Sequence, residues 1–322
     1  MDYLDLDDYG MDEIDEIDDD IVDGMLDLVI KDSNNNTNND ESSIINSDDE
    51  YIFELQSIQA SVFRNLFDAL KDILPEANII FDKEGMKIYS LNANHNVLVD
   101  MKLNSKFFEE YKCRRNVISV GLSLITLNKL LKSISNTDNI RFFIENGNEN
   151  KFGVCIDNTV RQVKNTYKID TLEIDTEQYP FPDINYNIML KISTCDLQTL
   201  CRNNQNVNSE DIEIKKVDNE LIFTCRGNVE NVTVYKDDKR LNKQRMKECS
   251  NIGIESGVIF IQNNEDVYQG EFKLKPFSQF TKCRNLCLNA KLELENDQPL
   301  KLTYKVGNMG YIKFILVQNI NE

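Results

Sequence analysis

Histidine is almost missing: His95 is the only one in 322 residues. That scarcity removes the commonest general base and the commonest zinc ligand together, so His-centred acid–base or hydrolytic chemistry has no partner pair to use. The eight cysteines contain no C-x-x-C pair, and the nearest two are Cys283 and Cys287. Free thiols in a reducing compartment are expected, with no zinc site. No run approaches the ~18 uncharged apolar residues of a membrane span; the longest, 117–131, is broken by Asn128 and Lys129. The N-terminus lacks the basic start and apolar core of a secretory signal. Also absent are the phosphate-cradling G-x-x-x-x-G-K-[ST], the dinucleotide G-x-G-x-x-G and the nucleophile-elbow G-x-S-x-G. From residue 51 onward the carboxylates are scattered, not clustered. No cofactor and no metal are expected, and binding is favoured over catalysis.

Bases are nearly missing from the first fifty residues. Of 55 acidic side chains, 19 lie in 1–50 beside a single base, Lys31, which leaves 36 acids against 35 bases in the rest. The net charge of −19 therefore belongs almost wholly to an N-terminal extension. Its end, SNNNTNNDESS (33–43), reads as a flexible linker. Ile14, Ile17, Ile21, Met25 and Leu28 recur at helical spacing, but mutual repulsion of so many carboxylates favours a disordered extension over residues 1–50.

From residue 51 one unit recurs four times: an amphipathic helix, then two β-rich runs joined at a turn. The spacing predicts helices over 61–74, 122–135, 193–204 and 275–285, the last with Pro276 in its first turn. Hairpin turns follow at 82–85, 146–148, 218–219 and 296–297. Hairpins without crossovers imply an α+β architecture, antiparallel sheets with helices on one side. Two units make a domain over 51–167 and two more a domain over 186–322. Between them, 168–185 is a connecting linker, where Pro180 and Pro182 suit extended chain. Each helix also carries cations away from its apolar stripe: Arg64 and Lys71, then Lys129 and Lys132, then Arg202, then Lys275, Lys282 and Arg284. On one side of a continuous sheet, these would pool their charge.

Seven runs carry a family resemblance: ALKDIL (69–74), SLNANH (90–95), YKCRRN (111–116), KLLK (129–132), QYPFP (178–182), FTK (280–282) and MGYIKF (309–314). Over 53–322 the chain resembles the proliferating cell nuclear antigen (PCNA) family, the sliding clamps of eukaryotic-type DNA polymerases. The acidic extension has no counterpart there. The resemblance implies a DNA-clamp fold of two similar domains, each with two helices on antiparallel sheet, closing as a homotrimer into a pseudo-sixfold ring around duplex DNA. Helices would lie inside and sheets outside, with no enzymatic activity. It places Arg64, Lys71, Lys112, Lys129, Lys132, Arg202, Lys275 and Lys282 at the channel, touching phosphates without reading sequence. It implies head-to-tail closure between edge strands through 165–172 and 227–236, with Tyr167, Ile169, Val232 and Val234 at the interface. It further implies an outer groove for a partner's short peptide, lined by Leu91, His95, Leu98, Tyr179, Phe181, Pro299, Ile315, Leu316 and Val317.

The implied partners are DNA polymerase, a clamp loader and other replication or repair proteins carrying the family's interacting peptide. The implied location is the nucleus, or a cytoplasmic viral replication site. Alternatives are a specialised paralogue, such as a checkpoint-type heterotrimeric ring subunit, and a metal-dependent enzyme acting on DNA. Departures from the family pattern fall on the groove: Leu91 stands for Met, Pro180-Phe181 for Gly-Ile, and Val317-Gln318 for Ala-Pro. The basic run 236–249 is expected to touch DNA or the acidic extension.

Overall fold

The computed structural model describes residues 50–158, 160–175, 182, 184–237, 256–264 and 267–319. Within them the order of elements repeats: one strand, a helix, five strands, a helix and three strands, then the same again. The first half comprises β1 (Tyr51–Ser57), α1 (Ala60–Leu70), β2 (Glu76–Asp82), β3 (Gly85–Leu91), β4 (Val97–Asn104), β5 (Glu110–Cys113), β6 (Val117–Ser123), α2 (Leu124–Leu131), β7 (Asp138–Glu145), β8 (Lys151–Asn158) and β9 (Val163–Asp170). The second comprises β10 (Ile188–Ser193), α3 (Thr194–Asn206), β11 (Asp211–Val217), β12 (Glu220–Arg226), β13 (Glu230–Lys236), β14 (Val258–Asn263), β15 (Val267–Lys273), α4 (Leu274–Phe280), β16 (Asn289–Leu294), β17 (Leu300–Val306) and β18 (Gly310–Leu316). Each of the four helices is followed by an antiparallel hairpin, β2–β3, β7–β8, β11–β12 and β16–β17, so the four expected units are present, with further strands between them. Strand β9 runs to Asp170, into the stretch expected to be linker.

The helices form where the apolar spacing places them, one to five residues shorter at some ends. Phe63, Leu66, Phe67 and Leu70 of α1 fall at i, i+3, i+4 and i+7, and all are fully buried. Ser123 and Ser193 cap α2 and α3 by accepting from the Thr126 and Asp196 amides. Pro276 sits in the first turn of α4, where its missing N–H has no intrahelical partner to lose. After Phe280 the predicted helix tightens into a 3₁₀ turn, Thr281–Asn285.

Each half builds the same two pieces of antiparallel sheet. In the first, β5-β1-β7-β8-β9 form a five-stranded sheet, and β4-β3-β2-β6 a four-stranded run. In the second, β14-β10-β16-β17-β18 and β13-β12-β11-β15 repeat both. One junction fuses the halves: β18 pairs with β4, from Gly310–Leu103 to Leu316–Val97, making a nine-stranded sheet. The MGYIKF run is that seam. A Cβ on Gly310 would stand 1.9 Å from the Lys102 carbonyl oxygen, so only glycine lets β4 approach this closely. On the core side Phe314 stacks on Phe280 of the FTK run at 4.5 Å between ring centres, which joins two distant motifs in one contact. Burial of each such ring is worth about 1.5–3 kcal/mol.

Past β9 the chain lies along the outer edge of β6. The Leu172 amide donates to the Gly121 carbonyl at 2.8 Å, and the Asn78 side-chain amide donates to the Ile174 carbonyl at 3.0 Å. Gly121 makes this possible, because a Cβ there would stand 2.2 Å from the Leu172 oxygen. Alanine normally improves a strand glycine, but Gly121→Ala is expected to destabilise by about 1–3 kcal/mol and to lift 171–174 off the edge. Thermal unfolding and limited proteolysis of the connecting segment check it; unchanged cleavage would show that the segment is held elsewhere.

Candidate nucleic-acid interface and partner groove

The four helices make one contiguous layer. Helix α1 packs beside α2 and beside the 281–285 turn, and that turn packs beside α3 and α4. Polar ties run along the layer. Arg64 Nη1 donates to the Ile134 carbonyl at 2.6 Å, Arg284 Nη1 to Gln198 Oε1 at 2.7 Å, and Gln205 Nε2 to Ser278 Oγ at 2.7 Å. The solvent side carries Lys129, Lys132, Arg202 and Lys275, all exposed and with no ion pair among the described residues. Arg64 is half-buried and spends one guanidinium nitrogen on the α1–α2 tie.

Lys71 and Lys282 differ from these. Lys282 pairs with Asp72, and Lys71 pairs with Asp68 and reaches Asp72 at 3.7 Å. The Gln279 side chain donates to the Asp72 carbonyl at 3.1 Å, so this cluster joins the first half to the second. Desolvation pushes the Asp72 carboxyl up, but the ammonium groups of Lys282 and Lys71 together outweigh it and hold the group below its ordinary range. The carboxylate's contribution to stability is therefore full above the ordinary carboxylate range and is lost as pH falls from there through the lowered value.

Lys112 does not belong to the helix layer. It sits on β5 opposite Glu54 and pairs with Glu110. Glu54 alternates with the buried Phe53 and Leu55, so Lys112 shares the sheet face turned away from the core and the helices. A cation count along the sequence cannot see that parity.

Of the residues expected to line a groove, Leu91, Leu98 and Ile315 lie on the face of the nine-stranded sheet turned away from the core cluster. Leu91, Leu98 and Ile315 are direct cross-strand neighbours on β3, β4 and β18. Leu98 and Ile315 are buried yet stand outside the main core cluster. His95 is exposed in the β3–β4 turn with φ of 53°, its amide donating to the Asn92 carbonyl. Val317, 44% exposed, donates its amide to the Asn96 carbonyl of the same turn. Pro299 lies one register step beyond the Leu300–Leu316 pair. Leu316 faces the other way, into the core cluster, because successive strand residues alternate; it is corrected from groove wall to core. Tyr179 and Phe181 lie outside the described residues, as do 1–49 and most of 236–249. Sequence reasoning missed Tyr186. It is buried, its hydroxyl donates to the Pro299 carbonyl at 3.1 Å, and the Lys301 ammonium lies 4.7 Å from its ring centre. Its signal was an aromatic residue just before β10. Beside Ile315 the row continues through Lys301 to the buried Glu293, which also pairs with Lys291.

The three described sheets end in β5 and β9, β14 and β6, and β13 and β15; of these, β9 and β13 are the counterparts of the two strands that join at the seam, β18 and β4. Tyr167 and Ile169 on β9 turn toward the core, whereas Val232 and Val234 on β13 are exposed on the opposite face.

Residues 52–178 match the model of the proliferating cell nuclear antigen N-terminal domain, and 180–319 match that of its C-terminal domain. The chain belongs to the proliferating cell nuclear antigen family. Among PCNA relatives, a protein described as "Probable DNA polymerase sliding clamp 1" of Paramecium bursaria Chlorella virus 1 is 27% identical over 272 residues, 84% of this chain and 97% of the relative. The crystal structure of PCNA from Entamoeba histolytica superposes with a TM-score of 0.72 at 20% identity, covering 84% of this chain and all of that one. The PCNA fold is thus shared over 84% of this chain, and the boundary between the two family matches falls in the connecting segment.

Proposed function

We propose that this chain is a DNA sliding clamp that closes as a homotrimer, encircles duplex DNA and tethers a polymerase and other replication or repair proteins at the replication site, the nucleus being the finer expectation. It contributes topology and docking, not catalysis. The observation that carries the reading is the seam. Within one chain the outer strand of a five-stranded piece, β18, joins the outer strand of a four-stranded piece, β4; the same two outer strands of the other pieces, β9 and β13, are left over. Repeating the junction between chains removes both open edges and closes head-to-tail contacts into a ring.

The register can be transferred as well. Hairpin ends align Val163 with Gly310, since β8–β9 ends at Asn158–Val163 and β17–β18 at Val306–Gly310. Likewise Tyr235 aligns with Leu103, counted from Glu220–Lys236 and Gly85–Asn104. The Gly310–Leu103 pair then becomes Val163 opposite Tyr235 of the next chain, Asn165 opposite Thr233 and Tyr167 opposite Asn231. Val232 stands opposite Thr166, not opposite Tyr167.

The helix cations then face phosphates, where weak, sequence-blind contacts suit sliding. Topology is the test. The chain is threaded onto linear duplex and both ends are capped with streptavidin. Retention through a high-salt wash is expected, with release when a restriction cut opens one end. Retention indifferent to the ends would contradict encirclement.

The groove would receive a peptide with apolar and aromatic anchors on the Leu91–Leu98–Ile315 row. Ile315→Asp is expected to weaken such a peptide about tenfold or more, since it charges the centre of the row. Calorimetric titration with a polymerase-derived peptide measures this, and unchanged affinity would place the docking site elsewhere.

A further inference from the structure

We propose that Asp72 acts as a built-in competitor for DNA phosphate, neutralising Lys282 and Lys71 at the junction of the two halves and so weakening the ring's grip on the duplex; this rests on the clamp reading above. The geometry separates two classes of cation on one helix layer. Lys129, Lys132, Arg202 and Lys275 carry no ion pair among the described residues. Lys282 and Lys71, from different halves of the chain, converge on one carboxylate. Asp68 adds a second carboxylate to Lys71. The position of Asp72 does not depend on those lysines alone, because Gln279 holds its main-chain carbonyl from across the junction.

A carboxylate and a phosphate oxygen offer an ammonium group the same kind of acceptor. A phosphate arriving at either lysine must therefore displace Asp72, or bind beside its negative charge. Either way it gains less than it would from a free cation. The exchange of one anion for another keeps the lysines ordered while flattening the energy along the duplex. Three such junctions in a trimer would repeat the effect at equal spacing around the channel.

Asp72→Asn keeps the shape and the main-chain contact while removing the charge. Measured by fluorescence anisotropy on short duplex across a salt series, the variant trimer is expected to bind about fivefold more tightly at low salt, a surface ion pair's worth. Its salt dependence should steepen by about 0.9 in log–log slope for each lysine released to a phosphate. Asp68→Asn, which leaves the junction untouched, should shift affinity the same way by less. Adding Lys282→Gln to Asp72→Asn should cancel most of the gain. A purely structural role predicts a lower melting temperature with no tighter binding, and that result overturns the proposal, as does weaker binding in both single variants. If the unsubstituted trimer shows no salt-dependent duplex binding at all, the clamp reading itself fails and takes this inference with it.

Discussion

A chain carrying Asn165→Cys and Thr233→Cys, with the exposed Cys195 replaced by Ser, is expected to oxidise into covalent trimers. Directly opposed antiparallel residues have Cα atoms about 4.5–5.5 Å apart, within the range a disulfide spans without moving backbone. In one chain the two positions lie on separate edge strands, so only contact between chains can join them. Moving one thiol two residues along, to Asn165→Cys with Asn231→Cys, opens the gap to about 7 Å and should cut the trimer yield at least about tenfold. Non-reducing electrophoresis reads both. Because each half supplies the template for the other, the result also tests whether the internal duplication extends to the contact between chains. Equal yields from the two pairs would mean the register is not the one inside the chain.

Replacing Lys129, Lys132, Arg202 and Lys275 together with Gln is expected to lower duplex affinity at moderate salt about tenfold or more, with a shallower salt slope. These four have the most to lose, being exposed and unpaired among the described residues. The changes fall outside both sheet edges and the groove, so trimer mass and peptide affinity should stay as they were. Lys112→Gln is the internal control. Its ammonium already faces Glu110 and Glu54 on the outward sheet face, and its loss should leave duplex affinity within about twofold. Binding experiments across a salt series separate the two. A larger effect at Lys112 than at the four helix cations would place DNA on the wrong face of the sheet.

The helices were legible because an apolar stripe at helical spacing needs no tertiary information: Phe63, Leu66, Phe67 and Leu70 declare their face in the sequence alone. The seam was legible only as a motif. MGYIKF attracts attention by resemblance, but nothing in its letters says that Gly310 must lie against Lys102. Strand parity is where reading along the chain fails. Ile315, Leu316 and Val317 cannot all line one groove, and the structure sends Leu316 to the core. Likewise Tyr167 turns toward the core of its sheet while Val232 is exposed on the other face of its strand. The Asp72–Lys282 pair is invisible along any one helix, because its two partners come from different elements. That pairing spans 210 residues of sequence, and no local pattern encodes it. Tyr186 is hidden for a related reason: its hydroxyl's partner, the Pro299 carbonyl, is supplied by a turn far along the chain.

Mass in solution is the most direct test of ring closure. Light scattering on the purified chain, over a wide concentration range and with residues 1–50 present or removed, should give three chain masses in a single species. A monomer at all concentrations, or a mass that keeps climbing as chains add without closing, would contradict pairing of β9 with β13 and with it the account of how this protein holds DNA.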